Sequence, residues 1–122
     1  MASLLLVDDD EIIVTNLLDL FSEEHLCDTA GTAEEALKKL GERDYDVVIT
    51  DISMPGMSGE DLLGFIKSYR PRTPVLFISG SLDRRRAEGL LIKGAFDYLL
   101  KPFRLEEIEE KVAQAVKFRG RS

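Results

Sequence analysis

The stretch LLLVDDDE, residues 4–11, sets four apolar residues directly against four acids. An apolar run that does not alternate marks a strand buried on both faces, as in a parallel sheet. Neighbouring like charges repel, so folding alone gives no reason to gather Asp8, Asp9 and Asp10. They fall just past the carboxyl end of that strand, where open parallel sheets hold their ligands.

The rest of the chain repeats the pattern. Ile13, Leu17, Leu20 and Phe21 share one face of a helix after the acids. Leu26–Ala30 reads as a second, weaker strand. Thr32–Glu35 (TAEE) is a capping box opening a helix that carries Ala36, Leu37 and Leu40 and is expected to end at Gly41. Val47–Thr50, Val75–Ile78 and Tyr98–Leu100 are three further strands. Met54–Gly59 (MPGMSG) is a loop by its Pro and Gly content. Leu62, Leu63, Phe65, Ile66 and Tyr69 mark a third helix, about 83–93 a fourth, and Leu105, Ile108, Val112 and Val116 a fifth. A strand and a helix in alternation, five times over, predict an α/β fold with a parallel sheet and right-handed crossovers. The 122 residues suit one domain over 1–122, with about 118–122 as a polar tail or linker stub.

Composition narrows the function. Sixteen Lys and Arg against 23 Asp and Glu leave a net charge of −7, which disfavours nucleic acid and suits cations. No apolar run nears the roughly 18 residues that span a bilayer. No signal-peptide pattern opens the chain, and Cys27 has no second cysteine to pair with. A cytoplasmic location without membrane insertion is expected.

The strand ends collect the chemistry. Asp8 and Asp9 follow the first strand, Asp51 the third, Ser79 the fourth and Lys101 the fifth. Three carboxylates with no histidine or second cysteine in the pattern favour a hard divalent ion over zinc or copper. A hydroxyl and an ammonium beside such an ion suit a transferring phosphoryl group, and a carboxylate can be its nucleophile.

With Asp8–Asp9, Thr50–Gly59 (TDISMPGMSG), Ser79–Gly80 and Lys101–Pro102 at these strand ends, the chain resembles the receiver domains of two-component response regulators from Leu4 to about Phe118. The resemblance implies a doubly wound, three-layer, flavodoxin-like (βα)5 fold with strand order 2-1-3-4-5. It implies Asp51 as phosphoacceptor, with Mg²⁺ (Mn²⁺ as a substitute) held by Asp8, Asp9, Asp51 and the Ser53 carbonyl. Lys101 would pair with Asp51 in the resting site, across a cis Lys101–Pro102 bond. Ser79 and Tyr98 would form the switch. The implied donor is a sensor histidine kinase or phosphotransfer protein. The implied output is a downstream domain or protein reading the fourth helix, fifth strand and fifth helix, with scope for a phosphorylation-dependent dimer. The implied chemistry is limited to self-phosphorylation and autodephosphorylation rather than that of a true enzyme.

Other residues carry plainer readings. Asp10 exceeds the pair the family needs and reads as a helix cap. Arg84–Arg86 reads as a solvated face on the output side. His25 reads as a turn residue and Cys27 as strand core. Ser58 stands where the family often has Asp and can cap the third helix. Ser79 replaces the more usual threonine and Gly80 the frequent alanine. With Ser53 and Ser81 small and polar, the phosphoryl group is expected to be short-lived. One rival reading makes the chain a domain of a longer protein, such as a transcription factor or hybrid kinase, and others differ in class. A phosphatase would need a substrate cap that these loops are too short to form. A flavin protein would need a hydroxyl-rich loop after the first strand. A phosphate-independent binding module would have no use for Asp9, Asp51, Ser79 and Lys101 together.

Overall fold

Five strands and five helices alternate in the order β1 (Ser3–Val7), α1 (Glu11–Phe21), β2 (Leu26–Ala30), α2 (Ala33–Glu42), β3 (Val47–Asp51), α3 (Gly59–Tyr69), β4 (Val75–Ser79), α4 (Arg84–Ile92), β5 (Asp97–Leu100) and α5 (Leu105–Arg121). The computed structural model describes residues 1–80 and 84–121, the side chain of Arg121 excepted. Ser81 and the expected helix start at Asp83 lie outside the described residues. The strands form one parallel sheet in the order β2-β1-β3-β4-β5. This is the doubly wound flavodoxin-like topology. The strand order reverses at β1, so the crevice at the switch point lies between the ends of β1 and β3.

The central strands are buried on both faces, and alternate residues feed different layers. Leu5, Val7, Val48 and Phe77 pack towards α2, α3 and α4. Leu4, Leu6, Ile49 and Ile78 pack towards α1 and α5. Neither layer has a polar side to solvate, which is why these strands read as unbroken apolar runs. The edge strands are mixed: Leu26 in β2 and Leu100 in β5 stay exposed. Among the described residues no helix is long and apolar enough to cross a membrane.

Several local expectations need correction. Helix α2 runs past Gly41 to Glu42, and the extended backbone of Arg43 ends it. A side chain at Gly41 would meet nothing within 4 Å, so no glycine-specific turn is required there. On α3 the buried face is Leu62, Leu63 and Ile66, while Phe65 and Tyr69 are exposed. Over the stretch from about 118 that reads as a polar tail or linker stub, α5 continues to Arg121. Its last turn is held by Phe118 stacked at a tilt on Phe96, centroids 5.4 Å apart, and by an Arg119–Asp44 ion pair. His25 is half-buried and accepts the Ala2 N–H at 3.1 Å. Cys27 is likewise only partly buried.

Two of the three clustered arginines make ion pairs, and only Arg86 reaches another element among the described residues. Arg84 pairs with Glu88 one turn on. Arg86 makes a two-pronged contact with Glu60, both bonds at 2.8 Å, and ties α4 to the first turn of α3. The bond from Arg86, more than any other influence, holds the Glu60 carboxyl below the ordinary glutamate value of 4.5. A depressed acid stabilises the fold above its unfolded value and loses that contribution as the pH falls. Glu60→Gln should therefore cost about 1 kcal/mol at neutral pH, a modest figure because Arg86 is partly exposed. Urea unfolding over a pH series should show the gap closing below about pH 4.5, as protonation removes the same charge from the wild type.

Candidate functional site

The acids meet at the switch-point crevice. The Asp8 N–H donates to the Ala30 carbonyl at 3.1 Å, which carries the β1–β2 ladder one residue past the strand and pins the carboxylate. Asp8 is 2% exposed and Asp51 is 7% exposed, whereas Asp9 faces solvent. One carboxylate oxygen from each of the three lies within 4.8 Å of the others. Asp10 stands outside the cluster. Its side chain accepts the Ile12 N–H at 2.9 Å and caps α1, as expected from its surplus position.

Asp8 and Asp51 are held alike. The Asp8 Oδ1 accepts the Asp10 N–H at 2.9 Å, and the Asp51 Oδ1 accepts the Ser53 N–H at 3.2 Å. Their second oxygens face the Lys101 ammonium. Nζ lies 3.2 Å from Asp8 Oδ2 and 3.6 Å from Asp51 Oδ2. The resting partner expected from the sequence was Asp51. Both carboxylates share the lysine, and Asp8 has the shorter contact. Burial raises the Asp8 carboxyl above its ordinary value, and the Asp51 charge adds to this. The Asp10 N–H and Lys101 pull the other way.

Lys101 is placed by its backbone. Its N–H donates to the Ser79 carbonyl at 2.7 Å, and the Lys101–Pro102 bond is cis. Ser79 is 1% exposed at the end of β4, opposite Leu100 in register. Tyr98 lies opposite Phe77, half-buried against the layer of α2, α3 and α4. Ser53 is exposed beside Asp51, and Gly80 is exposed beside Ser79. Ser58 caps α3 through the Asp61 N–H at 3.1 Å.

Three carboxylates around one ammonium leave excess negative charge in a partly buried place. All the donors are oxygens, and the site opens on a cleft of about 360 Å³ lined by Asp8, Asp9, Glu11 and Thr15. Oxygens on one Mg²⁺ sit at about 2.1 Å from it, so they stand up to about 4.2 Å apart. The three carboxylates, with one oxygen each inside a 4.8 Å span, are gathered closely enough to surround such an ion. These residues fit a hard divalent cation with open positions for water and a phosphate oxygen.

One structural requirement escapes a reading of motifs. Gly59 starts α3, and its N–H donates back to the Ile52 carbonyl at 3.2 Å, closing the loop after Asp51. A Cβ there would lie 2.6 Å from the Ile52 Cγ1 and 3.0 Å from its carbonyl oxygen. Within a helix, Gly→Ala ordinarily stabilises by about 1 kcal/mol. Here the clash should win, and Gly59→Ala should destabilise by about 1–3 kcal/mol. Urea unfolding gives the sign directly. The sequence signal was only the last glycine of MPGMSG, which read as generic loop.

An acid cluster at a β1/β3 switch point, facing a lysine from the end of β5, defines a class of fold and site. Residues 4–113 match the response regulator receiver domain family, and the chain belongs to it. It is 35% identical over 111 residues to the two-component response regulator PhoP of Pseudomonas aeruginosa, covering 89% of this chain and 49% of that one. It is 38% identical over 111 residues to the DNA-binding transcriptional regulator NtrC of Escherichia coli K12, covering 90% of this chain and 24% of that one. The chain thus spans about half or less of these curated relatives. A response regulator receiver domain protein from Clostridium thermocellum superposes with a TM-score of 0.90 at 32% identity, covering 96% of this chain and 95% of that one.

Proposed function

We propose that the chain is a single receiver domain over residues 1–122 that accepts a phosphoryl group on Asp51 from the phosphohistidine of a sensor kinase or phosphotransfer protein. The observation that carries this is the Lys101 ammonium set between Asp8 and Asp51 at the switch point. An Asp51 carboxylate oxygen attacks phosphorus in line, and the P–N bond breaks. Its electron pair leaves on the imidazole nitrogen, which then takes a proton. The Lys101 ammonium moves from the carboxylates to the phosphoryl oxygens. Mg²⁺, or Mn²⁺ in its place, held by Asp8, Asp9, Asp51 and the Ser53 carbonyl, would supply charge neutralisation for the phosphoryl oxygens. The Ser79 hydroxyl bonds the phosphoryl group, and Tyr98 follows it inward.

The readout is the face of α4, β5 and α5, where Leu91, Ile92, Leu100 and Leu105 are exposed without an evident structural need. A downstream domain or protein, or a second phosphorylated copy, would cover them. The net charge of −7 makes this domain itself a poor partner for DNA. Its own turnover is limited to loss of the phosphoryl group, and we place it in the cytoplasm with its kinase.

Intact mass after incubation with a small acyl phosphate tests the reading. One added phosphoryl group with Mg²⁺ and none with a chelator is expected. Absence of any adduct with fresh donor and rapid sampling would instead favour a phosphate-independent binding module. Spectra taken after donor removal read the lifetime. Exposed Ser53 and Gly80 leave the site open to water, so the adduct should not persist for many hours.

A further inference from the structure

At the foot of the sheet, opposite the acids, two clefts meet at the turn between α3 and β4. The larger, about 420 Å³, is lined by Lys67, Pro71, Arg72, Pro74, Phe96 and Phe118, among others. The smaller, about 200 Å³, adds Asp44, Tyr69, Arg70 and Arg119. Among the described residues they present four cations and a single carboxylate, on a chain whose net charge is −7. That carboxylate is already paired, because Asp44 binds Arg119.

Much of the donor capacity here is unused. Lys67 is half-buried, and among the described residues its ammonium has one acceptor, the Thr73 carbonyl at 3.1 Å. Among the described residues no carboxylate lies within ion-pair distance of it. Its stem crosses Gly94, the lysine Cε standing 3.5 Å from where a Cβ would lie, an ordinary contact distance. Arg72 is exposed and has no partner among the described residues. Among the described residues the buried Nε of Arg119 has no acceptor. Burial pushes the Lys67 ammonium below its ordinary value, as expected for a cation without a counter-charge. The tilted Phe96 and Phe118 rings, 5.4 Å between centroids, make an aromatic wall beside these cations.

We propose that this corner binds a small flat anion, with its ring against Phe96 and Phe118 and its carboxylate or phosphate on Lys67 and Arg72. The larger cleft falls in the roughly 300–1,000 Å³ range of small-molecule sites. It combines an apolar wall with a few convergent polar groups, the usual composition of such sites. A site here lies apart from Asp51 and does not depend on phosphorylation.

Amide spectra of the ¹⁵N-labelled chain, titrated without Mg²⁺, test it. The probes are benzoate and phenyl phosphate. Acetate, which lacks the ring, and benzamide, which lacks the charge, are controls. Saturable shifts at Gly94, Phe96 and Phe118 with either ring anion, and much weaker ones with the controls, are expected. A preference between the two ring anions identifies the carboxylate or the phosphate as the natural head group. Lys67→Gln keeps an N–H for the Thr73 carbonyl but removes the charge, and should weaken binding at least tenfold. If that variant fails to fold, Arg72→Gln at the exposed rim makes the same test. The proposal is overturned if neither ring anion shifts these amides saturably. It is also overturned if the controls bind as well, or if affinity survives loss of the charge.

Discussion

Asp51→Asn should remain at its unmodified mass under conditions that add one phosphoryl group to the wild type. The substitution keeps the size of the side chain and its acceptor for the Ser53 N–H, which bonds Asp51 Oδ1 at 3.2 Å. It removes the nucleophilic charge, since a neutral amide neither attacks phosphorus nor forms an acyl phosphate. The fold should survive, because the change relieves repulsion with Asp8 rather than opening a cavity. Thermal unfolding without metal should show a midpoint at or above that of the wild type. A phosphoryl group on the Asp51→Asn variant would mean that another carboxylate is the acceptor. Exposed Asp9 is then the residue to map first.

Lys101→Met should take up phosphoryl groups about 10²–10³ times more slowly, the usual effect of removing one preorganised donor from a developing oxyanion. It should also lower stability without metal. Asp8 and Asp51, 2% and 7% exposed, would lose the ammonium they share. Breaking a buried pair leaves uncompensated charge, and the cost here is about 1–3 kcal/mol because Lys101 is partly exposed. Added Mg²⁺ should restore the unfolding midpoint, since it binds the folded cluster and supplies positive charge there. It should not restore the uptake rate. Recovery of both would assign the lysine a purely structural role.

The parallel sheet was legible because β1, β3 and β4 are covered on both sides and so carry unbroken apolar runs. Once the strands were placed, Asp8, Asp51, Ser79 and Lys101 fell at one edge by topology alone. What escaped depends on contacts remote in sequence. The chain around Phe118 looks like a polar tail, yet α5 continues because Phe96 and Asp44 lie beneath it. Arg86 looks solvated until Glu60, 26 residues earlier, is seen to hold it. Phe65 and Tyr69 count as apolar in a periodicity, but they lie beside the buried stripe of α3 rather than on it. The share of Lys101 between Asp8 and Asp51 is a matter of a few tenths of an ångström, finer than any spacing rule.

Adjacent residues in the central strands belong to different layers, Val48 to that of α2, α3 and α4 and Ile49 to that of α1 and α5. The sheet is therefore a partition, and two nuclei one peptide bond apart observe separate rooms. Isotope labels on the methyl groups of Val48 and Ile49 would report independently on the half that carries Tyr98 and the half that backs α5. A rearrangement confined to one layer would broaden one signal and leave its neighbour sharp.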